Sequence, residues 1–539
     1  MANDRSRANS PTGYDANSAS LSNVFEMHDV ACELLSNHCD AQDICRLASV
    51  ATCFRQPCLD EAVWLRQHEA RWKTPARRLD MAAAPPAGWR NEYKRRHKKD
   101  QQASECVLKM SQGGERNSNS AWEQLLRLGE EVICRVALLC TEPGGLDTAG
   151  RDVAQTCLVG LNQQAAMNEW VDLMGRDGHA AGERAGGEGV GGEGGRDGGR
   201  AAQPPLAVEE GALLLVRLYQ NAEQLIAQYL HDELSSVDRV RAELDALASR
   251  LRARLLAKQK GDLGTAVDGS SPSSSPNEDE DADAGEAVRE LKALLFVEEG
   301  LRGADSADYY NFENSLLDCV LSARRGIPIS LSCIFAAVCH RVGVSLDMIG
   351  LPGHFLLATR PHDARSRRPQ PEQRGAGGAG PPAGGGTAGA TAGPAERIFV
   401  DAFHGGELLR LRQCEAIVRS YGYAWSEEMA MPVQPIEVCT RMLRNLLNAH
   451  KQSGDARAAR VIDCVLASSS RSSAPLLPNP LRTRRAEAAT AEAEAFGRQF
   501  LNMDPSAMSS QQQQQLLQML MQQMHLQQAA AAAAAEAEL

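Results

Sequence analysis

The sequence predicts a mostly α-helical protein with an α+β core. Three observations predict it. Apolar residues recur at helical spacing through 21–75, 101–170 and 207–257. Residues 309–403 instead order as helix, helix, strand, strand, with His354–Leu357 and Ile398–Phe403 as the strands. Gly-, Ser/Pro- and Ala-rich tracts, which have little apolar surface to bury, separate these segments.

The order of elements follows. Residues 1–20 are polar and expected to be disordered, and 21–75 form a compact helical module. A helical region covers 76–174. A Gly-rich insert covers 175–205, and a further helical segment 206–257. An acidic insert covers 258–287, with the run Glu278–Asp283. The α+β domain spans 288–430, with a Gly/Ala/Pro-rich insert at 360–397. A helical hairpin spans 431–467, and 468–539 is a low-complexity tail with a Gln tract at Gln511–Gln515.

Composition excludes several function classes. The 539 residues carry 57 Lys and Arg against 69 Asp and Glu, a formal charge of −12, so bulk charge gives no reason to expect nucleic acid as a partner. No apolar run reaches membrane-spanning length, and the first residues lack the apolar core of a secretory signal. The 15 cysteines are scattered without a Cys-x-x-Cys pair, which reads as reduced intracellular thiols rather than a disulfide or zinc framework. A cytoplasmic or nuclear location, no cofactor and no metal are the resulting expectations.

In the N-terminal module, Val30, Leu34 and Leu35 share one helical face. Asp40 is placed to cap the next helix, with Asp43 in its first turn and Ile44, Leu47, Ala48 and Val50 following at helical spacing. Phe54, Leu59, Val63, Trp64 and Leu65 close the segment. So small a module cannot bury all of this apolar surface, and the surplus suits a helical partner. The order Glu33-Leu34-Leu35, Asp43-Ile44, Leu47-Ala48-Ser49-Val50, Cys53-Phe54-Arg55 and Trp64 resembles an F-box over about 40 residues, with Met27-His28 replacing the usual opening Leu-Pro. The resemblance implies docking to the Skp-type adaptor of a cullin-RING ubiquitin ligase. Leu34, Leu35, Ile44, Leu47, Val50, Phe54 and Trp64 would carry or support that contact. The basic run from Trp89 to Lys99 could serve as a nuclear signal or a phosphate-binding patch, but reads first as the solvated end of a helix, where cations suit the C-terminal dipole.

The central segment carries the chemistry. Leu316, Leu317, Val320 and Leu321 form one apolar helical face, which Gly326 ends. Pro328 and Ser330 sit where a second helix should begin, Pro suiting a first turn and Ser a cap, and Gly343 terminates that helix. Helix N-terminus, strand His354 and strand Asp401 are then in the order of a papain-like thiol triad: the helix end lowers a thiol pKa, imidazole takes its proton and carboxylate orients the ring. Asn314-Ser315, Arg325-Gly326-Ile327-Pro328-Ile329-Ser330-Leu331-Ser332, Pro352-Gly353-His354-Phe355-Leu356 and Phe399-Val400-Asp401-Ala402-Phe403 resemble the SirB-type transglutaminase-like family, which also occurs behind F-boxes in ubiquitin-ligase receptors.

Against the active members' Gly-x-Cys pattern, Pro328 falls at the nucleophile position. Cys333 lies about 7–8 Å further along the helix axis, beyond hydrogen-bond reach. His354 and Asp401 therefore read as relics of a triad without a nucleophile, and a buried His–Asp pair also serves to hold two strands together. Cys333 and Cys339 read as core thiols, and His340 forms no metal-ligand spacing with them.

In the hairpin, Met442, Leu443, Leu446 and Leu447 face Ala458, Ala459, Ile462, Val465 and Leu466 across the break Ser453-Gly454-Asp455. This resembles one tetratricopeptide-type unit, which cannot stand alone and is expected to pack on the α+β core. Relatives of this architecture that end in a DNA-binding β-barrel imply nothing here, because no strand-rich segment follows Ala467. Three functions remain in view. One is the substrate-recognition subunit of an Skp–cullin–F-box ligase, with an inactive transglutaminase-like module holding an unidentified protein substrate. Another is a thiol hydrolase or acyltransferase using His354 and Asp401. The third is a scaffold outside the ligase that binds the adaptor without cullin.

Overall fold

The computed structural model describes residues 28–50, 55–72, 85–112, 115–185, 204–265, 285–360, 397–469, 471, 473–482, 518 and 521. The chain divides into two units, Met1–Leu158 with Leu225–Glu233, and Val159–Gln224 with Leu234–Leu539. Phe54, the acidic run Glu278–Asp283 and the Gln tract lie outside the described residues.

The first unit contains α1 (His28–His38), α2 (Ala41–Val50), α3 (Glu61–Arg71), α4 (Trp89–Gln112), α5 (Glu115–Leu128) and α6 (Ile133–Thr141). Capping side chains set two of the starts. Asp40 Oδ1 accepts the Asp43 N–H at 2.8 Å to open α2, and Asp60 Oδ1 accepts the Ala62 N–H at 2.8 Å to open α3. The core gathers Leu35, Ile44, Cys58, Val63, Trp64, Trp72, Trp89 and Tyr93. Tyr93 stands edge-on to Trp64 at 5.3 Å and to Trp72 at 4.8 Å, the geometry that aromatic quadrupoles favour.

The basic run corrects its sequence reading. Trp89–Lys99 opens α4 instead of ending a helix. Trp89, Tyr93, Arg96 and Asp100 form its buried stripe, and Arg95 pairs with Glu92 and Glu131 at 2.6 Å each. A charge count hides this, because the packing residues recur at helical spacing beneath the solvated lysines.

Helix α7 (Thr148–Ala185) belongs to the first unit as far as Leu158 and to the second thereafter. It runs past Gly175, where an insert was expected to begin. The second unit adds α8 (Pro204–Leu218), whereas α9 (Ala222–Leu230) lies mostly in the first. Then come α10 (Ser236–Thr265), α11 (Leu317–Ala323), α12 (Pro328–Arg341), α13 (Leu411–Ser420), α14 (Pro435–Ser453) and α15 (Ala456–Ser468). Helix α10 likewise continues beyond Lys258 into the expected acidic insert.

Strands β1 (Arg302–Gly303) and β2 (Arg325–Gly326) form a short parallel pair. Strands β3 (Leu346–Leu351), β4 (His354–Thr359), β5 (Phe399–Asp401) and β6 (Glu407–Leu409) form an antiparallel sheet in that order. The mostly α protein with an α+β core is therefore what the chain forms. Helix α12 is the centre of the second unit: every residue from Pro328 to Cys339 is buried, between α8 and α10 and the strand β4.

The hairpin α14–α15 turns at Gly454 (φ +77°), where Asp455 caps α15. Helix α14 packs on α8, and Gly211 permits the close approach, since a Cβ there would strike Cys439 Sγ. Tyr219 fastens the same contact, with its hydroxyl 2.6 Å from His450 Nε2. Residues 473–482, within the segment expected to be a tail from 468, are among the described residues. Leu477 and Leu481 are buried, and the Leu477 N–H donates to Gln164 Oε1 at 2.8 Å on α7. Among the described residues, no helix is long and apolar enough to cross a membrane.

Candidate functional site

Antiparallel register builds the His–Asp pair. Leu357 stands opposite Val400 and Ala358 opposite Phe399, so one step further brings Asp401 opposite Leu356. His354 is two residues from Leu356 and therefore on the same face of β4, diagonal to Asp401. His354 Nε2 lies 2.8 Å from Asp401 Oδ2, and both residues are buried. Asp401 Oδ1 accepts the backbone N–H groups of Phe403 at 3.1 Å and His404 at 3.2 Å.

Burial alone would push the Asp401 carboxyl up. Hydrogen bonds from His354 and His404 outweigh it and hold the carboxyl below the usual range. His404 is a residue that sequence reasoning missed. Its Nδ1 lies 2.8 Å from the same Asp401 oxygen that His354 meets. The available signal was its place three residues after Asp401, on the turn beyond the strand.

The N-terminus of α12 has the geometry of the expected helix start. Ile327 is its extended cap and Pro328 its first residue. Ser330 Oγ accepts the Ile327 N–H at 3.1 Å and is 2.7 Å from the Asn314 carbonyl, to which it donates. Gly326 is needed beside it, because a Cβ there would come within 2.8 Å of that hydroxyl. Pro328 is buried and carries no nucleophile. Among nearby thiols, burial raises Cys319 to about 12 and Cys414 to about 11, and it raises Cys333 and Cys339 as well.

Aromatic side chains connect the pair to the surface. His354 meets Phe403 edge-on at 6.2 Å, Phe403 meets Tyr309 at 6.1 Å, and Tyr309 meets the exposed Tyr310 at 5.3 Å. Gly303 admits Phe403, whose ring would lie 2.7 Å from an added Cβ. A groove of about 530 Å3 lies beside the β3–β4 turn, lined by Leu351, Pro352, Gly353, Met429 and Arg441 among others. Arg441 donates to the carbonyls of Leu351 at 3.1 Å and His354 at 2.9 Å, which fixes that turn.

The predicted docking residues of the first unit divide by burial. Leu35, Ile44 and Trp64 are core, and Leu47 packs half-buried against them. Leu34 is 40% exposed and Val50 72% exposed, with Val30 also exposed one turn before Leu34.

Residues 238–444 match the transglutaminase-like superfamily. The match extends on both sides of 288–430 and takes in most of α10 and the first half of α14. The chain is 32% identical over 147 residues to F-box only protein 21 of Mus musculus, covering 27% of this chain and 19% of that protein. The Homo sapiens protein of the same name is 31% identical over 147 residues, with the same coverage. The chain thus spans less than a fifth of the length of these relatives. A UPF0162 protein of Xylella fastidiosa is 43% identical over 67 residues, 12% of this chain and 24% of that protein. No solved structure matches. These likenesses support an F-box protein with a transglutaminase-like domain, as the sequence motifs imply.

Proposed function

We propose that the chain is a substrate-recognition subunit of an Skp–cullin–F-box ubiquitin ligase. The first unit docks the Skp-type adaptor and through it a cullin. The transglutaminase-like domain holds a protein substrate without reacting with it. The observation that carries the reading is the apolar surface left over once the first unit has filled its core. Val30, Leu34 and Val50 stay exposed above Leu35, Ile44 and Trp64. The relatives' name, F-box only protein 21, agrees with that docking mode. Ubiquitin transfer then follows from proximity, since tethering raises the substrate's effective concentration near the charged conjugating enzyme.

The substrate surface is the groove beside the β3–β4 turn, with Tyr310, Tyr421 and Tyr423 exposed in the same domain. A buried proline at the head of α12 supports recruitment over catalysis. The intact His354–Asp401 pair favours the rival thiol-enzyme reading, which lacks a nucleophile to complete it. Co-purification of the full chain with Skp-type adaptor and cullin tests the proposal. The wild type is expected to retain both, and the Leu34→Asp/Val50→Asp variant to lose both while keeping its circular dichroism. Failure of the wild type to hold the adaptor overturns the reading. Adaptor without cullin leaves a scaffold outside the ligase and overturns the ubiquitin-transfer part.

A further inference from the structure

His404 is the member of this cluster that a triad has no use for. Its side chain is 59% exposed, yet its Nδ1 turns inward to Asp401 Oδ2 at 2.8 Å. His354 Nε2 reaches the same oxygen from β4, also at 2.8 Å. The two backbone N–H groups on the turn bind the other oxygen, Oδ1. Oδ2 therefore faces two imidazole nitrogens, and the three atoms all lie within 4.8 Å of one another.

We propose that His354 Nε2, Asp401 Oδ2 and His404 Nδ1 bind a divalent transition metal ion of the zinc type, with the remaining position open to water on the His404 side.

The geometry fits such an ion. Zinc takes imidazole nitrogen and carboxylate oxygen at about 2.0–2.2 Å, and three protein ligands plus water is a common set. With two edges of 2.8 Å, a point ~2 Å from all three corners exists when the edge between the two imidazole nitrogens is no more than about 4 Å, so an edge nearer the 4.8 Å limit needs only a small inward turn of the exposed His404 ring. An ion there takes the place of the ring-to-carboxylate hydrogen bonds, and each neutral imidazole then carries its single proton on its other nitrogen, Nδ1 of His354 and Nε2 of His404.

Two imidazoles and one carboxylate select zinc, iron or nickel over magnesium and calcium, which prefer all-oxygen ligands. The outer contacts are also in place. The backbone bonds to Oδ1 fix the carboxylate, and Phe403 stands edge-on to His354 at 6.2 Å and to His404 at 5.2 Å. Exposure of His404 supplies the access route. In this role the pair ligates an ion and relays no proton.

Cobalt(II) is the probe, because its absorption reports the ligand type. Full-length chain, stripped with chelator and desalted, is titrated with cobalt and then with zinc. The expected result is one cobalt bound with visible d–d bands, no thiolate charge-transfer band, and displacement by zinc. His404→Ala is expected to weaken binding at least about 100-fold, more than loss of an outer partner costs. His404→Gln serves the same purpose if the alanine variant loses its circular dichroism. His28→Ala is the control, since His28, Cys32 and Asp60 are the other such grouping among the described residues. A thiolate band, loss of binding in His28→Ala but not in the His404 variants, or no retained cobalt overturns the proposal.

Discussion

His68 in the first unit and His354 in the second are buried to the same degree, each 2% exposed. Their surroundings differ in kind. His68 has no carboxylate in contact: Arg96 Nη1 lies 3.4 Å from its Nε2, and its Nδ1 has no partner. An arginine can only donate, so Nε2 is the acceptor and the ring is neutral. Burial first, then the Arg96 charge, lowers its pKa to about 4. His354 meets Asp401, and the carboxylate is held in turn by His404 and two backbone N–H groups. Equal burial thus gives one histidine packed against Trp72 and Trp89 with a single long arginine contact, and another held in a polar constellation. The partners decide which is which, and burial does not.

The largest expected effect comes from erasing that difference. Asp401→Ala leaves His354 buried without its carboxylate and frees two backbone N–H groups. Removing one partner of such a pair costs about 3–5 kcal/mol, read as a fall in the thermal midpoint of the transglutaminase-like domain. A shift no larger than that of a surface variant would mean the pair does not hold β4 to β5.

The neutral His68 also gives the first unit a pH response of its own. With a folded pKa near 4 against an ordinary 6.5, the unfolded chain binds more protons at His68 between those values. Stability from this group is complete above pH 6.5 and is lost as pH falls towards 4, by about 3 kcal/mol at most. His68→Gln is expected to flatten the dependence in denaturant melts between those pH values. An unchanged slope would break the account of His68.

Gly303→Ala pushes a Cβ into the Phe403 ring and carbonyl. Overpacking of this kind costs about 1–3 kcal/mol and is expected to broaden the His354 and His404 imidazole resonances. The smallest effect is at the proposed docking face. Leu34→Ala is expected to change stability by no more than about 0.5 kcal/mol, because the side chain is exposed, whereas Leu35→Ala costs about 2–5 kcal/mol from the core. Equal losses would mean that burial does not separate the two.

The sequence carried the second unit's site further than the first unit's. His354, Asp401 and the start of α12 at Pro328 were legible because each sits in a short contiguous motif. The sequence reads Ser330 as the cap, whereas Ile327 is the cap and Ser330 stands three residues further on, its Oγ reaching back to accept the Ile327 N–H. His404 escaped because it lies on a turn, where neither periodicity speaks. In the first unit, helical spacing grouped Leu34 with Leu35 and Ile44 with Val50. Spacing says which residues share a helix face, and only tertiary packing decides which of them turn inward. Trp89–Lys99 was misread because summed charge outweighed a stripe of Trp89, Tyr93, Arg96 and Asp100. The buried stretch around Leu477 was hidden by the biased composition that surrounds it.

On the proposed function, the transglutaminase-like domain recruits its substrate and uses no thiol of its own. The most direct test of this is alkylation of the native full chain at neutral pH, read cysteine by cysteine in time. The account predicts that Cys319, Cys333, Cys339 and Cys414 label more slowly than an unstructured thiol, because burial raises each of them. One of these four labelling far faster than the rest, and slowing in His354→Ala, would contradict it and return the chain to the thiol enzymes.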